Sequence, residues 1–416
     1  MTTLHPTTHD VRALREDELR GAHALFGAAL LHGPVSDEQW ERARGLYAPG
    51  RAFGVHDGPA EGAALIGTAM SFPVEVAVPG GAVLPTAAVT RVGVRADRTR
   101  RGVLSALMRH QLGEAAAAGD VLASLRATEG RIYGRFGYGV ATRGRSVRVR
   151  RTGGSGWRAG APVGGAVRLL AADEALATLG ALHERIGLGR AGGMTRTAPW
   201  WRLGLGALLA ERTLVLAAVH TGPDGDDGYL VATVDDSRGW DDRVLELRDL
   251  HAASAEASAA LWRFALDVDL VSAVQARQRP LDEPLDLLLA DPRDCAVTDV
   301  HDETWLRIVD VPAALGARRF GGAGPVLLAV HDAVLGANGG VYRIAGGEVQ
   351  RVGELGGAAT PDLECDAAGL AMAYLGDRSP SELVAAGWWR AWSPDAVARA
   401  DAAFATGRLP WCGTNF

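Results

Sequence analysis

Apolar residues change their spacing repeatedly along the chain, and each change marks an element. Val11 to Leu31 reads as a short strand and then a helix, predicted by the stripe Leu14, Leu19, Ala22, Leu25 and Phe26 and broken by His32-Gly33-Pro34. Trp40 and Leu46 mark a second helix, with Ser36-Asp37-Glu38 as its cap and acidic first turn. Three β-rich stretches follow, Ala52–Val55, Ala63–Phe72 and Val74–Val78, which predict a meander. The next stretch, Ala88 to Leu112, organises the rest. Val89, Val92 and Val94 alternate as a strand, Gly93 leaves room for a close neighbour, and an arginine- and glycine-rich turn runs to Gly102. Leu104, Leu107, Met108 and Leu112 then recur at helical spacing. A further strand, Val121–Arg126, leads into the loop Thr128 to Gly139.

The pattern then repeats. A Gly/Pro-rich stretch, Arg151–Gly165, reads as a linker that closes a first unit at about residue 150. Beyond it, Val167–Leu170, Thr213–Val219, Tyr229–Val234, Val244–Leu250 and Leu270–Val274 read as strands, and Asp173–Ile186 and Ala252–Leu266 as helices. The same order of elements predicts an internal duplication over residues 151–295. The copy has His251-Ala252-Ala253-Ser254-Ala255 where the first unit has its arginine turn. A third unit, residues 296–416, has a strand at Thr304–Val309, a short helix at Val311–Ala317 and strands of an antiparallel sheet at Val326–Val330, Gly340–Ile344 and Glu348–Val352. Helices at Ala367–Leu375, Ser379–Ala386 and Pro394–Phe404 precede a tail ending Trp411-Cys412-Gly413-Thr414-Asn415-Phe416.

Length supports this division, since 416 residues exceed what one core usually holds. Hydrophobic content of 48% and charged content of 22% are those of an ordinary globular chain, and a net charge of -6 provides no field for nucleic acid or an anionic membrane. Three dispersed cysteines, Cys295, Cys365 and Cys412, without a CxxC, suggest neither a disulfide framework nor a metal site. The first residues have no apolar core of a signal peptide and no run is long enough to cross a bilayer, so a cytoplasmic protein is expected.

A strand, an Arg/Gly turn and a helix start form an anion cradle: the first N–H groups of the helix point outward, and the dipole favours negative charge. Arg100 and Arg101 add positive charge, and Gly102 keeps the approach free of a side chain. A plain βα unit with a solvated arginine turn has the same composition. Val92-Gly93-Val94 followed by Arg100-Arg101-Gly102-Val103, however, resembles the acetyl-CoA pyrophosphate signature of the GNAT N-acetyltransferases. That resemblance implies that the strand edge pairs with the pantetheine arm and that Val103, Leu104 and Ser105 open the helix receiving the pyrophosphate. Ala96 stands where the signature usually has proline, and Thr99 where it begins with Arg or Gln; a backbone cradle depends on neither.

Two GNAT-like units and a mixed C-terminal unit resemble the enhanced intracellular survival (Eis) acetyltransferase family over essentially the whole chain. The most specific pieces are Ile132-Tyr133-Gly134-Arg135-Phe136-Gly137-Tyr138-Gly139 and Trp305-Leu306-Arg307 with Val311-Pro312-Ala313-Ala314-Leu315. The fold implied is α+β (mixed α/β): tandem GNAT-like domains, the first binding acetyl-CoA and the second without cofactor, then a sterol carrier protein-like domain. The resemblance further implies Tyr133 as general acid, the carboxylate of Phe416 as general base, Thr128 and Glu129 as cofactor contacts, no metal, and a homo-hexamer of two stacked trimers. A phenol of pKa ~10 is a sensible donor to a thiolate of ~8.5, whereas a terminal carboxyl of ~3.5 is a poor base unless desolvation raises it or water relays the proton.

The acceptor is read as a small-molecule amine, an aminoglycoside or similar cationic amine. Relatives that acetylate aminoglycosides line their pocket with acids where this chain has Leu30 and Asn415. Protein lysine or a polyamine is the alternative acceptor, and a lipid or sterol carrier with a relic GNAT half the alternative function. His32, His56 and His110 read as surface or loop histidines, Tyr138 as a packing residue, and Trp200, Trp201, Trp388, Trp389 and Trp392 as core or interface material.

Overall fold

A computed structural model describes residues 9–58, 62–151, 156–211, 214–237, 239–322 and 324–416. They form two compact units, one from Met1–Ala141, Thr304–Ala405 and Phe416, the other from Thr142–Glu303 and Thr406–Asn415.

The first unit begins with β1 (Val11–Ala13), α1 (Leu19–Ala29), α2 (Asp37–Ala43), β2 (Ala52–His56), β3 (Leu65–Ala77), β4 (Val83–Val94), α3 (Val103–Ala117), β5 (Leu122–Leu125), α4 (Gly130–Tyr133) and β6 (Gly139–Val140). Ser36 caps α2 through a reciprocal box with Gln39, as its sequence predicts. The stretches expected as two strands, Ala63–Phe72 and Val74–Val78, are one strand, β3, running through Pro73. β2 pairs with β3 only as far as Met70, so Pro73, which has no N–H to donate, lies where that neighbour has ended. The sheet order is β1-β2-β3-β4-β5, then the strand Trp305–Ile308, then β6. Trp305–Ile308 thus joins the sheet of the N-terminal segment, although 160 or so residues of chain intervene.

The rest of this unit is a five-stranded sheet in the order 348–353, 340–345, 326–331, 363–366, 389–391. The three strands expected here, 326–331, 340–345 and 348–353, are antiparallel to one another as read from the sequence, but the whole sheet is mixed: Val326–His331 runs parallel to Leu363–Asp366, a strand too short for its sequence to announce. Helix Ala367–Tyr374 packs against Gly139, where a Cβ would stand 2.3 Å from the Ala368 carbonyl oxygen. Arg307 is fully buried and paired with Asp332 at 2.5 Å.

The second unit contains β7 (Arg143–Arg150), β8 (Ala166–Leu169), α5 (Ala172–Ile186), α6 (Ala198–Leu203), α7 (Leu205–Ala210), β9 (Val215–Gly222), β10 (Gly225–Asp235), β11 (Val244–Ala252), α8 (Ala255–Asp267), β12 (Ala273–Pro280) and β13 (Cys295–Asp302). Its sheet order is β13-β7-β12-β11-β10-β9-β8, with the parallel pair β11 and β12 matching β4 and β5. α8 starts at Ala255, not Ala252, because Ser254 caps it. β12 starts later than predicted because Leu270 turns the chain with φ 63°. Thr213 and residues 152–155 of the expected linker lie outside the described residues. No helix among the described residues is long and apolar enough to cross a membrane.

Candidate active site

β4 has two different edges. Along β3 it is paired as far as Val94. Along β5 the pairing covers only Thr86, Ala87 and Ala88, so Val89 to Val94 present an open backbone edge where the two parallel strands diverge. The two faces of this fork are distinct. Ala87 and Val89 pack with Met108 and Leu112 of α3, and Val103 of α3 fills the space left by Gly67. By strand alternation Ala88 faces the other way, with its cross-strand partner Phe72. Gly93 also faces that second side, where a Cβ would stand 3.0 Å from the Cα of Phe26 in α1. The close neighbour that Gly93 admits is therefore helix α1. Val92 and Val94 turn toward the α3 face.

The turn ends in a left-handed helix start. Arg100 has φ 60° and Gly102 φ 86°, and α3 begins directly at Val103. The first helical backbone bond runs from Ala106 N–H to Gly102 O. The N–H groups of Val103, Leu104 and Ser105 therefore precede the helical ladder and point out of its end. Arg95, Asp97, Arg98 and Asp57 are tied together by ion pairs that hold the preceding turn, while Arg100 and Arg101 are exposed. The expected cradle residues thus come together at the mouth of the fork.

Tyr133 ends α4 with 7% of its surface exposed, in the same apolar cluster as Val89, Val92 and Leu104, on the α3 face. Burial, then the neighbouring Glu129 carboxylate, push its phenol up to about 12. Its ring stands edge-on to Tyr138, centroids 6.0 Å apart. Tyr138 is 1% exposed with its hydroxyl enclosed and unpartnered, a packing residue. Thr128 and Glu129 lie exposed between β5 and α4.

Phe416 packs its ring edge-on against Phe72, 5.9 Å between centroids. Since Phe72 pairs with Ala88, this places the last side chain on the α1 face, on the row where the strands part. Among the described residues no ring contact joins Phe416 to Tyr133; they flank the fork from opposite faces. Within the second unit, residues 411–415 are held by groups whose sequence context gave no sign of it. Glu303 accepts from the N–H groups of Cys412 and Gly413 at 3.1 and 2.7 Å. Arg196 donates to Gly413 O and Thr414 Oγ1, and Trp200 Nε1 to Asn415 O at 2.7 Å. Trp201 and Trp389 are buried, whereas Trp388 and Trp392 are about half-exposed.

Residues 10–141 match the model of an acetyltransferase (GNAT) domain, residues 192–308 a second acetyltransferase (GNAT) domain, and residues 311–413 a sterol carrier protein domain. An uncharacterized N-acetyltransferase of Streptomyces avermitilis is 33% identical over 99% of both chains. N-acetyltransferase Eis of Mycobacterium bovis is 33% identical over 94% of this chain and 95% of its own. The crystal structure of Eis1 from Mycobacterium abscessus superposes with a TM-score of 0.87 at 38% identity, covering 98% of this chain and all of that one. The chain belongs to the Eis-like GNAT N-acetyltransferases. It is an acetyltransferase, with two GNAT domains and a sterol carrier protein-like domain.

The two GNAT folds of this Eis-like chain treat their forks differently. β11 and β12 also diverge, after Leu247 and Ala276. There Arg279 crosses the gap: its Nη1 donates to Leu250 O at 2.7 Å, its other nitrogens to Glu283, and the Trp411 ring lies 5.2 Å from its guanidinium. The start of α8 is occupied too, since Ser254 Oγ accepts from Ala257 N–H and donates to Asp227. A cavity of about 710 Å³ opens beside this fork, but its Arg190 and Arg279 are already paired with Asp282 and Glu283.

Proposed function

We propose that the first unit transfers the acetyl group of acetyl-CoA directly to an amine. The open Val89–Val94 edge leading to a glycine-started helix carries this reading. The edge offers peptide groups to the pantetheine amides, and the N–H groups of Val103, Leu104 and Ser105, with Arg100 and Arg101, suit the pyrophosphate. Thr128 and Glu129 would border the cofactor from the end of β5.

The two faces then divide the proton work. The amine nitrogen attacks the thioester carbonyl carbon, the C–N bond forms and the C–S bond breaks. Tyr133, on the α3 face with the cofactor, gives its phenolic proton to the departing sulfur. The Phe416 carboxylate, on the α1 face, takes the proton lost by the nitrogen, directly or through water, and solvent exchange resets both groups. The burial that raises the phenol supports this role: it keeps the proton on the oxygen until charge develops on sulfur, and the same dry setting makes the thiolate more basic.

Aminoglycosides and similar cationic amines are the acceptors the family resemblance suggests, with lysine or polyamines as the alternative. Assembly as two stacked trimers belongs to the same proposal, and the half-exposed Trp388 and Trp392 are suitable interface anchors. The test is thiol release from acetyl-CoA over a panel of amines, run with the parent and with Tyr133→Phe. Turnover of at least one amine by the parent, lost in the variant, is expected. Equal turnover by both removes Tyr133 from the chemistry.

A further inference from the structure

Within the first unit, two buried arginines pair with no carboxylate among the described residues: Arg318 donates to four backbone carbonyls, whereas Arg91 donates only to an imidazole nitrogen and a thioether sulfur. Arg91 lies in the open stretch of β4, where the strand bulges: Met70 pairs with Thr90 and Thr68 with Gly93, so Arg91 and Val92 stand opposite Ala69 alone. Arg91 takes φ 50°, a left-handed conformation that costs an arginine free energy unless its surroundings fix it. The bulge re-aims its side chain onto the α1 face. Nε donates to Nδ1 of His23 at 3.1 Å, Nη1 reaches Met70 Sδ at 3.9 Å, and the guanidinium lies 5.4 Å from the centre of the Tyr47 ring. Met70 and Phe72 alternate on β3, so this is also the face that carries Phe416.

The environment is poor for a cation. Arg91 is 7% exposed, and burial lowers its affinity for the proton. Burial, then Arg91 itself, holds His23 down at about 4, so the imidazole is neutral and cannot help balance the charge. Tyr47, raised by burial to about 12, is a neutral phenol. Among the described residues no carboxylate pairs with Arg91; its guanidinium meets only His23, Met70 and the Tyr47 ring. A buried ion without a partner is among the costlier features a fold can keep. It sits in the bulge of the open edge itself, on the face from which the amine would arrive.

We infer that Arg91 is the acceptor's anion-recognition residue, so that the physiological acceptor is an amine that also carries a carboxylate or comparable anion, not a polycation. This rests on the acetyl-transfer reading above and narrows its substrate class. The guanidinium supplies a donor that a carboxylate can accept, and the neutral His23 and Tyr47 leave that interaction uncontested.

The experiment compares ω-amino acids of one to five methylenes with the corresponding ω-amino carboxamides, using full-length parent protein, Arg91→Gln and Arg91→Lys, with acetyl-CoA thermal shift as the control for folding. For at least one chain length the parent is expected to favour the carboxylate by tenfold or more in kcat/KM, chiefly through KM. Arg91→Gln should bring that ratio to about one, and Arg91→Lys should keep part of it. A ratio near one in the parent, or one that Arg91→Gln leaves unchanged, overturns the inference. So does an Arg91→Gln variant that loses kcat equally on both members, which would make Arg91 a partner of the Phe416 carboxylate. If no amine of any charge is acetylated, the acetyl-transfer reading itself falls.

Discussion

Phe416 and Phe72 meet edge to face at 5.9 Å, on the sheet row where Ala88 loses the pairing of β5. The contact sets the last residue by its ring, which leaves the terminal carboxylate only a short lever. Adding one residue after Phe416 moves that charge by up to ~3.5 Å, beyond the ~3 Å reach of proton transfer. The extended protein and a Phe416 deletion should both retain acetyl-CoA binding by calorimetry and lose at least about 100-fold in kcat. Parent-like kcat in the extended protein would make the terminus a bystander.

Tyr133 and Tyr138 share an edge-to-face contact, yet removal of their hydroxyls should have opposite effects. Tyr133→Phe should lower kcat by about 10²–10⁴-fold with little change in melting temperature. Tyr138→Phe removes an enclosed, unpartnered hydroxyl, so it should stabilise by about 1 kcal/mol and leave kcat intact. If Tyr138→Phe is the variant that loses activity, the acid has been placed on the wrong ring.

Gly102 is left-handed at the start of α3, so Gly102→Val should cost about 1–2 kcal/mol in stability and obstruct the approach to the first N–H groups. The Kd for acetyl-CoA should rise by at least tenfold, in calorimetry on a variant shown to be folded. An unchanged Kd would move the pyrophosphate elsewhere.

One acetyl-CoA per chain is expected, because the second fork is spanned by Arg279 and the start of α8 is already capped by Ser254 and faced by Asp227. Titration calorimetry giving a stoichiometry of two would show that Arg279 can be displaced.

His183 accounts for a pH effect in the second unit. It is 2% exposed and bonded to Tyr229 and to Met194 O, and burial, then Arg196 and His251, hold it at about 2. Its folded value lies below the ordinary 6.5, so its contribution is complete above that pH and is lost as pH falls toward 2, because only the unfolded chain takes up the proton. From pH 7.5 to pH 5.0 this one group should remove about 2 kcal/mol. Denaturant melts of the parent and of His183→Gln should show the variant less stable at pH 7.5 but with the shallower loss toward pH 5. Equal slopes would mean that His183 titrates alike in both states.

Local order determined much of this protein in advance. Ser36 with Gln39, the valines of β4, the stripe of α3 and the arginine turn each signal their element within a few residues, because capping, alternation and helical period are short-range effects. The duplicated order of elements was visible for the same reason, as was Gly102, since a left-handed helix start calls for glycine.

Only the tertiary structure decided where strands end beside one another. That β5 leaves β4 after Ala88, that Trp305–Ile308 completes the N-terminal sheet, and that Val326–His331 runs parallel to Leu363–Asp366 depend on pairings far apart in the chain, which no local period encodes. The same holds for Glu303 and Arg196 on the tail and for the assignment of Tyr133 and Phe416 to opposite faces of one fork. Arg91 shows the difference most plainly: in the sequence it is one more arginine beside a turn rich in them, and only burial without a carboxylate, set by a bulge, helix α1 and the Tyr47 ring, gives its charge a consequence.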